Sequence, residues 1–193
     1  MNLSETPRVA FMGAHGSGKT TLILEIASRL KKRGINCSIA YEVARKSPYV
    51  IRGLNTIEAQ LQLLGARLNE EMSACINSQV VLCDRSMLDI QVYTDVFCPK
   101  PDNGESANHG NYRNLIRDFS VAYTQTYSKV FFTSTLYSQM ITKDDLRPEG
   151  EDFQRKVQNL MEEELNKSKV RFEHIPDNEP VDYLVNEIVK LIK

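Results

Sequence analysis

The chain has 193 residues, a length typical of one globular domain, with 41% hydrophobic and 25% charged residues. Its 24 basic and 25 acidic residues leave a formal net charge of −1, which gives no overall electrostatic basis for binding nucleic acid or a membrane. The four cysteines form no C-x-x-C pair, and no apolar segment is long enough to cross a bilayer. We therefore expect a single cytoplasmic domain, residues 1–193, with free thiols and no zinc site.

Strand-like and helix-like segments alternate along the chain. Short apolar runs predict five strands, at 8–12, 37–41, 80–84, 129–133 and 170–175. Apolar residues spaced by three or four predict helices at 21–32, 56–77, 113–126, 151–167 and 181–193. Because strands that alternate with helices form βαβ units, the pattern predicts a three-layer α/β fold, with a mainly parallel five-stranded sheet and helices on both faces.

One irregular segment, 97–111, interrupts this alternation and is rich in Pro, Asp, Asn and Gly. It is long for a connection inside a compact domain, so we expect a flexible loop. The sequence leaves open whether this loop covers a substrate or is simply disordered.

Residues 13–20 read Gly-Ala-His-Gly-Ser-Gly-Lys-Thr and match the pattern G-x-x-x-x-G-K-[ST], between the first predicted strand and the first predicted helix. In such a phosphate-binding loop, glycines let successive N–H groups point at phosphate oxygens, and the following helix adds its positive dipole end. Lys19 is expected to reach the β- and γ-phosphates, and the Thr20 hydroxyl to bind Mg²⁺. The residues predicted to contact the triphosphate are Gly13, Ala14, His15, Gly16, Ser17, Gly18, Lys19, Thr20 and Thr21. The sequence therefore predicts a protein that binds a nucleoside triphosphate.

Charged residues follow two other predicted strands, at the sheet edge where α/β proteins bind ligands. Asp84 ends the third strand, where a carboxylate can hold Mg²⁺ directly or through water. The alternative is a helix cap formed by Asp84 or Ser86. Arg85 can hold an anionic acceptor group or form a surface ion pair.

Glu42 follows the second predicted strand, on what we expect to be the acceptor side of the cleft. A carboxylate there can accept or orient the proton of a substrate hydroxyl. In the alternative interpretation, Glu42 forms a structural ion pair with Arg45, three residues later.

Basic residues cluster in the region 140–167, which we predict to be a small helical lid. Lys143, Arg147 and Arg155 suggest a segment that closes over the triphosphate and neutralises charge in the transition state. A solvated helix edge is the alternative.

With these residues assembled, the chain resembles the P-loop nucleoside and nucleotide kinases, and most closely the AAA-type ATPase and kinase group that includes ribosylnicotinamide kinase domains. The segments that carry the resemblance are 13–21, 42–45, 84–86 and 146–153, in this order along most of the chain. The resemblance implies the three-layer P-loop fold, with Lys19 and Thr20 holding ATP and Mg²⁺ and Asp84 supporting the metal or acting as a base. It further implies that Glu42 and Arg85 face the acceptor, that Arg147 and Arg155 serve the lid, and that the segment 176–178 contacts adenine.

Together these features predict an ATP-dependent phosphotransferase that moves the γ-phosphate of Mg-ATP to a small nucleoside- or nucleotide-like acceptor. A stand-alone ATPase that acts with a protein partner is the alternative, and a nucleotide-binding module without turnover also stays open. The segment 142–145 matches a guanine-reading pattern, but it does not directly follow a strand, which speaks against a GTPase. We expect no nucleic-acid or membrane partner, and the sequence leaves a homodimer open.

Overall fold

The computed structural model describes residues 6–100, 104, 106–133, 150–176, 178 and 180–192. Five parallel strands form one sheet in the order β2-β3-β1-β4-β5. They are β1 (Arg8–Met12), β2 (Cys37–Ala40), β3 (Val80–Asp84), β4 (Lys129–Phe132) and β5 (Glu173–His174). The predicted α/β fold with a parallel five-stranded sheet is therefore confirmed. Strand β5 is shorter than predicted, since it lies at the sheet edge and pairs with β4 alone.

Seven α-helices within the described part of the chain connect and cover these strands. They are α1 (Lys19–Lys32), α2 (Pro48–Ile51), α3 (Ile57–Cys75), α4 (Met87–Phe97), α5 (Ala107–Thr124), α6 (Glu151–Lys167) and α7 (Pro180–Val189), and a 3₁₀ turn spans Ala44–Lys46. The sequence did not predict α4. Its residues from Met87 to Thr94 are buried on every side, so no polar face marks its helical period.

The prediction of an irregular segment at 97–111 was wrong at both ends. Phe97 is the last residue of α4, and Ala107–Asn111 lies in the first turns of α5. The Ser106 hydroxyl caps this helix by accepting a hydrogen bond from the backbone N–H of His109, at 3.3 Å. A short polar helix start has no apolar spacing, which is why the pattern placed the helix six residues too late.

The two faces of the sheet carry separate apolar layers. Val9 and Phe11 of β1 pack with α1 and α7, whereas Ala10 and Met12 face the opposite layer, which includes parts of α4 and α6. This alternation follows from the two-residue period of a strand. Within the described residues, no helix combines the length and apolar character needed to cross a membrane.

The strand order determines where polar side chains meet. Strand β3 lies between β2 and β1, and the three strands are parallel, so their carboxyl ends lie side by side. The chain continues from these carboxyl ends through Glu42 after β2, Arg85 after β3 and Gly13 after β1.

Candidate active site

The loop between β1 and α1 has the backbone geometry of a phosphate cradle. Gly13, Gly16 and Gly18 have φ angles of 145°, 71° and 78°, a region that favours glycine. A Cβ atom on Gly13 would lie 1.9 Å from Oγ1 of Thr133, at the end of β4. The loop therefore requires glycine for two reasons, conformation and close approach.

Two side chains of the loop, Lys19 and Thr20, make polar contacts in the structure. Lys19 is only 4% exposed, and its Nζ donates to the carbonyl of Ala14 at 2.6 Å and to Oγ of Ser17 at 2.8 Å. Thr20 is exposed, and its hydroxyl donates to Oδ2 of Asp84 at 2.6 Å. The hydroxyl and carboxylate predicted to hold Mg²⁺ thus lie together and are hard oxygen ligands.

Helix α6 supports the loop from the other side. Gln158 accepts a hydrogen bond from the backbone N–H of Ala14 at 2.8 Å and donates to the carbonyl of Thr133 at 2.5 Å. Gln154, one turn earlier, donates to the carbonyl of His15 at 3.2 Å. Sequence reasoning missed both glutamines. Their four-residue spacing places them on one helix face, but nothing local indicates that this face meets the loop.

Arg85 lies at the centre of the site and has left-handed backbone geometry, with φ 87°. Its Nε donates to Oε1 of Glu42 at 2.7 Å, and its Nη1 donates to Oδ1 of Asp89 at 3.1 Å and to the carbonyl of Gly13 at 3.3 Å. Burial acts to lower the pKa of Arg85, but Tyr93 and the nearby carboxylates outweigh it and raise that pKa. The guanidinium is therefore a permanent cation, and the predicted alternative of a surface ion pair does not describe it.

Glu42 has partners on both sides. Besides Arg85, its other oxygen, Oε2, lies 3.4 Å from Nε of Arg45, whose side chain is 59% exposed. The carboxylate itself is 9% exposed. The pair with Arg45 that was the structural alternative is present, but the buried and shorter contact is the one to Arg85.

The cap of α4 is formed by Ser86, one of the two residues considered for it. The Ser86 hydroxyl accepts from the backbone N–H groups of Leu88 and Asp89, and Asp89 in turn accepts from the backbone N–H of Ser86 at 2.7 Å. Asp84 is left to bond Thr20. Sequence reasoning missed Asp89, although an acidic residue three positions after a serine is the signature of a capping box. Its second contact, to Arg85, has no such signature.

A cavity that is partly open to solvent lies beside these charged groups. Its walls include the apolar side chains Val43, Val50, Leu63, Ile90 and Phe97, and its polar lining includes Glu42, Asn55, Gln60, Arg85 and Asp89. The Tyr93 ring also lines it, with the guanidinium carbon of Arg85 at 5.3 Å from the ring centroid. A largely apolar cavity with a few convergent polar groups is typical of a small-molecule site.

His15 links this cavity to the phosphate loop. Its Nδ1 lies 3.3 Å from the hydroxyl of Tyr93, and its ring centroid lies 5.6 Å from that of Phe153 in α6. Burial is the main reason for the raised pKa of Tyr93, so its hydroxyl stays protonated. The contact therefore joins a neutral phenol to the histidine ring.

The structure describes only part of the predicted lid region, 140–167. Helix α6 is fixed to the body of the domain, because Val157, Met161 and Leu165 are completely buried. Arg155 lies on this helix with its side chain exposed. Lys143, Arg147 and the rest of 140–149 lie outside the described residues, as do the guanine-like segment 142–145 and Asp177 of the segment 176–178.

No group of three or more His, Cys, Asp or Glu side chains that could hold a metal occurs among the residues described. A magnesium ion that is bound mainly by substrate phosphates needs no such group, because it uses one or two protein oxygens and keeps several waters. Thr20 and Asp84 fit that requirement.

Residues 8–181 match a family model described as AAA domain. The chain belongs to this AAA domain family. The match spans most of the chain, so the predicted kinship with the AAA-type P-loop kinase-like group is confirmed. No curated protein matches this AAA domain chain in sequence.

Several solved structures share the fold of this AAA domain. A NadR protein in complex with NAD and AMP-PNP superposes with a TM-score of 0.69 at 13% identity, over 97% of this chain and 49% of the NadR chain. A deoxyadenosine kinase from M. mycoides with bound dATP has a TM-score of 0.65 at 20% identity and covers 95% of this chain and 99% of its own. A thymidylate kinase from Ehrlichia chaffeensis has a TM-score of 0.54 at 16% identity, over 96% and 97% of the two chains.

These likenesses establish the fold of the P-loop nucleoside and nucleotide kinases for this AAA domain. The chain spans about half the length of the NadR chains it matches, 49% and 52%. Fold alone does not determine an activity, since function depends on the site that the fold carries.

Proposed function

We propose that this protein is a kinase that transfers the γ-phosphate of Mg-ATP to a hydroxyl group of a nucleoside-like acceptor. The observation that carries the proposal is the position of Arg85 between the two halves of the site. Its guanidinium donates to the Gly13 carbonyl in the phosphate loop and to the Glu42 carboxylate in the cavity wall, at 3.3 and 2.7 Å. An acceptor in the cavity would therefore lie next to the triphosphate, which suits direct transfer.

On the donor side, the loop N–H groups and the N-terminus of α1 would bind the phosphates. Lys19 would exchange its contacts with Ala14 and Ser17 for oxygens of the β- and γ-phosphates. Thr20 and Asp84 would hold Mg²⁺, which neutralises charge on the phosphates when bound.

On the acceptor side, Glu42 would accept the proton of the attacking hydroxyl or orient it. Arg85 would keep that carboxylate in place and donate to the acceptor or to the transferring phosphoryl group. Arg147 would belong to a lid that adds positive charge above the triphosphate, whereas Arg155 would add its charge from the fixed helix α6. Catalysis would then consist of positioning and charge stabilisation.

The charges of the cavity favour a nucleoside over a nucleotide. Its described lining contains three carboxylates, Glu42, Asp84 and Asp89, and two guanidiniums, Arg67 and Arg85. Both guanidiniums already bond carboxylates, Arg67 to Glu71 and Arg85 to Glu42 and Asp89. An acceptor that carries its own phosphate would bring a further charge of about −1.5 to −2 into this surplus of negative charge. A neutral acceptor avoids that repulsion.

Gln60 supplies a polar group that suits such an acceptor. The side chain is 2% exposed and lines the cavity, and its Oε1 accepts no hydrogen bond from any of the described residues. A buried carbonyl without a donor is costly, so an N–H or O–H of the bound acceptor would satisfy it. Apolar walls beside an amide suit a largely apolar ring that carries a hydrogen-bond donor.

The proposal is tested by incubating the protein with Mg-ATP and a panel of nucleosides, nucleoside monophosphates and ribosylnicotinamide. We expect a phosphorylated product from at least one uncharged acceptor and none from the monophosphates. Glu42→Gln should lower kcat by about 10²- to 10⁴-fold, the usual contribution of a general base. Its affinity for a non-hydrolysable ATP analogue, measured by calorimetry, should stay at the wild-type value.

Glu25→Gln is the matched control, because Glu25 lies on the exposed side of α1 and, among the described residues, pairs with Arg29 alone. Full transfer by the Glu42→Gln protein would contradict the proposal, as would an inert panel. Acceptor-independent ATP hydrolysis that a protein partner accelerates would instead support the alternative of a stand-alone ATPase.

A further inference from the structure

Arg67 of α3 binds the ends of two neighbouring strands beneath the site. Its side chain is 2% exposed. Nη1 donates to the carbonyls of Ala40, Tyr41 and Asp84 at 3.3, 3.2 and 3.0 Å, and Nη2 donates to the carbonyl of Arg85. One guanidinium therefore connects the end of β2 with the end of β3.

A buried carboxylate fixes the orientation of Arg67. Glu71, one turn later on α3, is completely buried, and its Oε1 lies 2.7 Å from Nε of Arg67. The same carboxylate accepts from the hydroxyls of Tyr127 and Tyr123 at 2.6 and 3.1 Å and pairs with Arg8 at 3.4 Å. With Nε held in this way, the two outer nitrogens of Arg67 are directed at the strand ends.

The carbonyls that Arg67 binds include both of those that flank the α-carbon of Arg85. That residue has φ 87°, a conformation that is costly for a side-chain-bearing residue and persists only where its surroundings enforce it. The conformation accompanies the contacts of Arg85 with Glu42, Asp89 and the phosphate loop. The peptide before Glu42 is held as well, through the carbonyl of Tyr41.

We propose that Arg67 is a positioning residue for phosphoryl transfer, which holds Arg85 in its left-handed conformation and so directs Arg85 and Glu42 at the acceptor. This role rests on the proposed kinase function. Among the described residues, Arg67 contacts Asp84 at its backbone carbonyl, and no hydrogen bond joins Arg67 to the side chain of Asp84 or Thr20. It acts on the site through the backbone of β2 and β3.

The test uses Arg67→Lys, which keeps a positive charge beside Glu71 but replaces the guanidinium fork by a single ammonium group. Arg8→Lys is the matched control. Arg8 also pairs with Glu71, through Nη1, and its other side-chain contacts with described residues, Thr126 and the rings of Tyr123 and Tyr127, lie away from the ends of β2 and β3. We expect Arg67→Lys to lower kcat at least about tenfold at unchanged affinity for an ATP analogue, and Arg8→Lys to stay within about twofold of wild type.

A double variant separates positioning from general stability. If Arg67 acts through Arg85, adding Arg67→Lys to Arg85→Lys lowers kcat by no more than about a further twofold. Multiplicative effects of the two substitutions would overturn the proposal, as would a wild-type kcat in Arg67→Lys or an equal loss in Arg8→Lys.

Crystal structures of the two single variants decide the same question without turnover. We expect Arg85 to adopt a negative φ and to lose its Nε contact with Glu42 in Arg67→Lys, and to keep both in Arg8→Lys. An unchanged Arg85 in Arg67→Lys would overturn the positioning role. If the wild-type protein phosphorylates no acceptor, the proposed function fails, while this structural result still stands or falls by itself.

Discussion

Two arginine–glutamate pairs with the same contact distance are joined in this domain, since Arg67 donates to the backbone carbonyl of Arg85, and their surroundings differ. In Arg85–Glu42 and in Arg67–Glu71 the Nε–Oε1 distance is 2.7 Å. The first pair lines the cavity, with both side chains 9% exposed. In the second pair, Arg67 also reaches the cavity lining but is only 2% exposed, and Glu71 is completely buried. The same type of ion pair therefore occurs once at the accessible wall of the cavity and once almost fully buried.

The difference shows what each pair can do. Glu71 is saturated by two tyrosine hydroxyls and by Arg8, and Arg67 is saturated by backbone carbonyls. A ligand cannot compete for groups that are fully satisfied and buried. The pair of Arg85 and Glu42 borders the cavity, so a ligand can reach it and exchange contacts with it. Burial and saturation, more than the pair itself, separate a structural role from a chemical one.

The largest effect that tests this comparison is on stability. Glu71→Gln leaves Arg67 buried beside a neutral amide, and we expect a loss of about 3–5 kcal/mol in the free energy of unfolding. Glu42→Gln should cost less than about 1.5 kcal/mol, because Arg85 keeps Asp89 at 3.1 Å. Urea denaturation followed by circular dichroism measures both values at neutral pH. Equal losses in the two variants would show that burial does not distinguish the pairs.

Much of the fold could be predicted from the sequence, because its signals are local. The strands at 8–12 and 80–84 and the helix at 151–167 have the predicted bounds. Helix α4 and the start of α5 were missed for a common reason, since neither shows an apolar face that alternates with a polar one.

The two sides of the site also differ in how local their sequence signals are. The phosphate loop is one contiguous motif, so its residues could be named from the sequence. The acceptor side is assembled from β2, β3, α3 and α4, and contacts such as Arg85 with Gly13 span 72 positions. Glu42, Asp84 and Arg85 were found because strand ends meet at one sheet edge. Gln60, Arg67 and Gln158 lie within helices, where nothing in the local sequence reveals what they face.

A second prediction concerns the link between Arg85 and the phosphate loop. Gly13→Ala places a methyl group against Thr133 at a left-handed φ, and we expect a loss of stability of about 2–4 kcal/mol from overpacking and strain together. Because the Gly13 carbonyl is a partner of Arg85, the substitution should also weaken binding of an ATP analogue at least about tenfold.

Gly53→Ala is the matched control for that substitution. Gly53 has a φ of 70°, but an added Cβ has none of the described non-neighbouring residues within 4 Å. It should therefore cost only the conformational strain, about 1–2 kcal/mol, and leave binding unchanged. Equal effects of the two substitutions would mean that the close approach of Gly13 to Thr133 affects neither the stability nor the binding of the ATP analogue.

The smallest predicted effect is the pH dependence of stability that arises from the buried surroundings of Glu71. Burial, and next to it the charge of Glu71, raises the pKa of the Cys83 thiol well above its ordinary value of 9.0. The thiol stays protonated in the folded protein but ionises in the unfolded chain above about pH 9, so the stability that it contributes below that pH is lost as the pH rises. Each such thiol costs up to about 1.4 kcal/mol per pH unit in this range.

Cys83→Ala should therefore flatten the alkaline decline of the free energy of unfolding, measured by urea denaturation under reducing conditions between about pH 8 and about pH 10. Cys98→Ala is the control, because Cys98 lies at the end of α4, half-buried and away from Glu71. Burial also raises the pKa of Tyr127, which donates to Glu71, so a residual slope should persist in Cys83→Ala above about pH 10. An undiminished slope in that variant would mean that the interior around Glu71 admits charge, and the contrast between a saturated and an accessible pair would no longer hold.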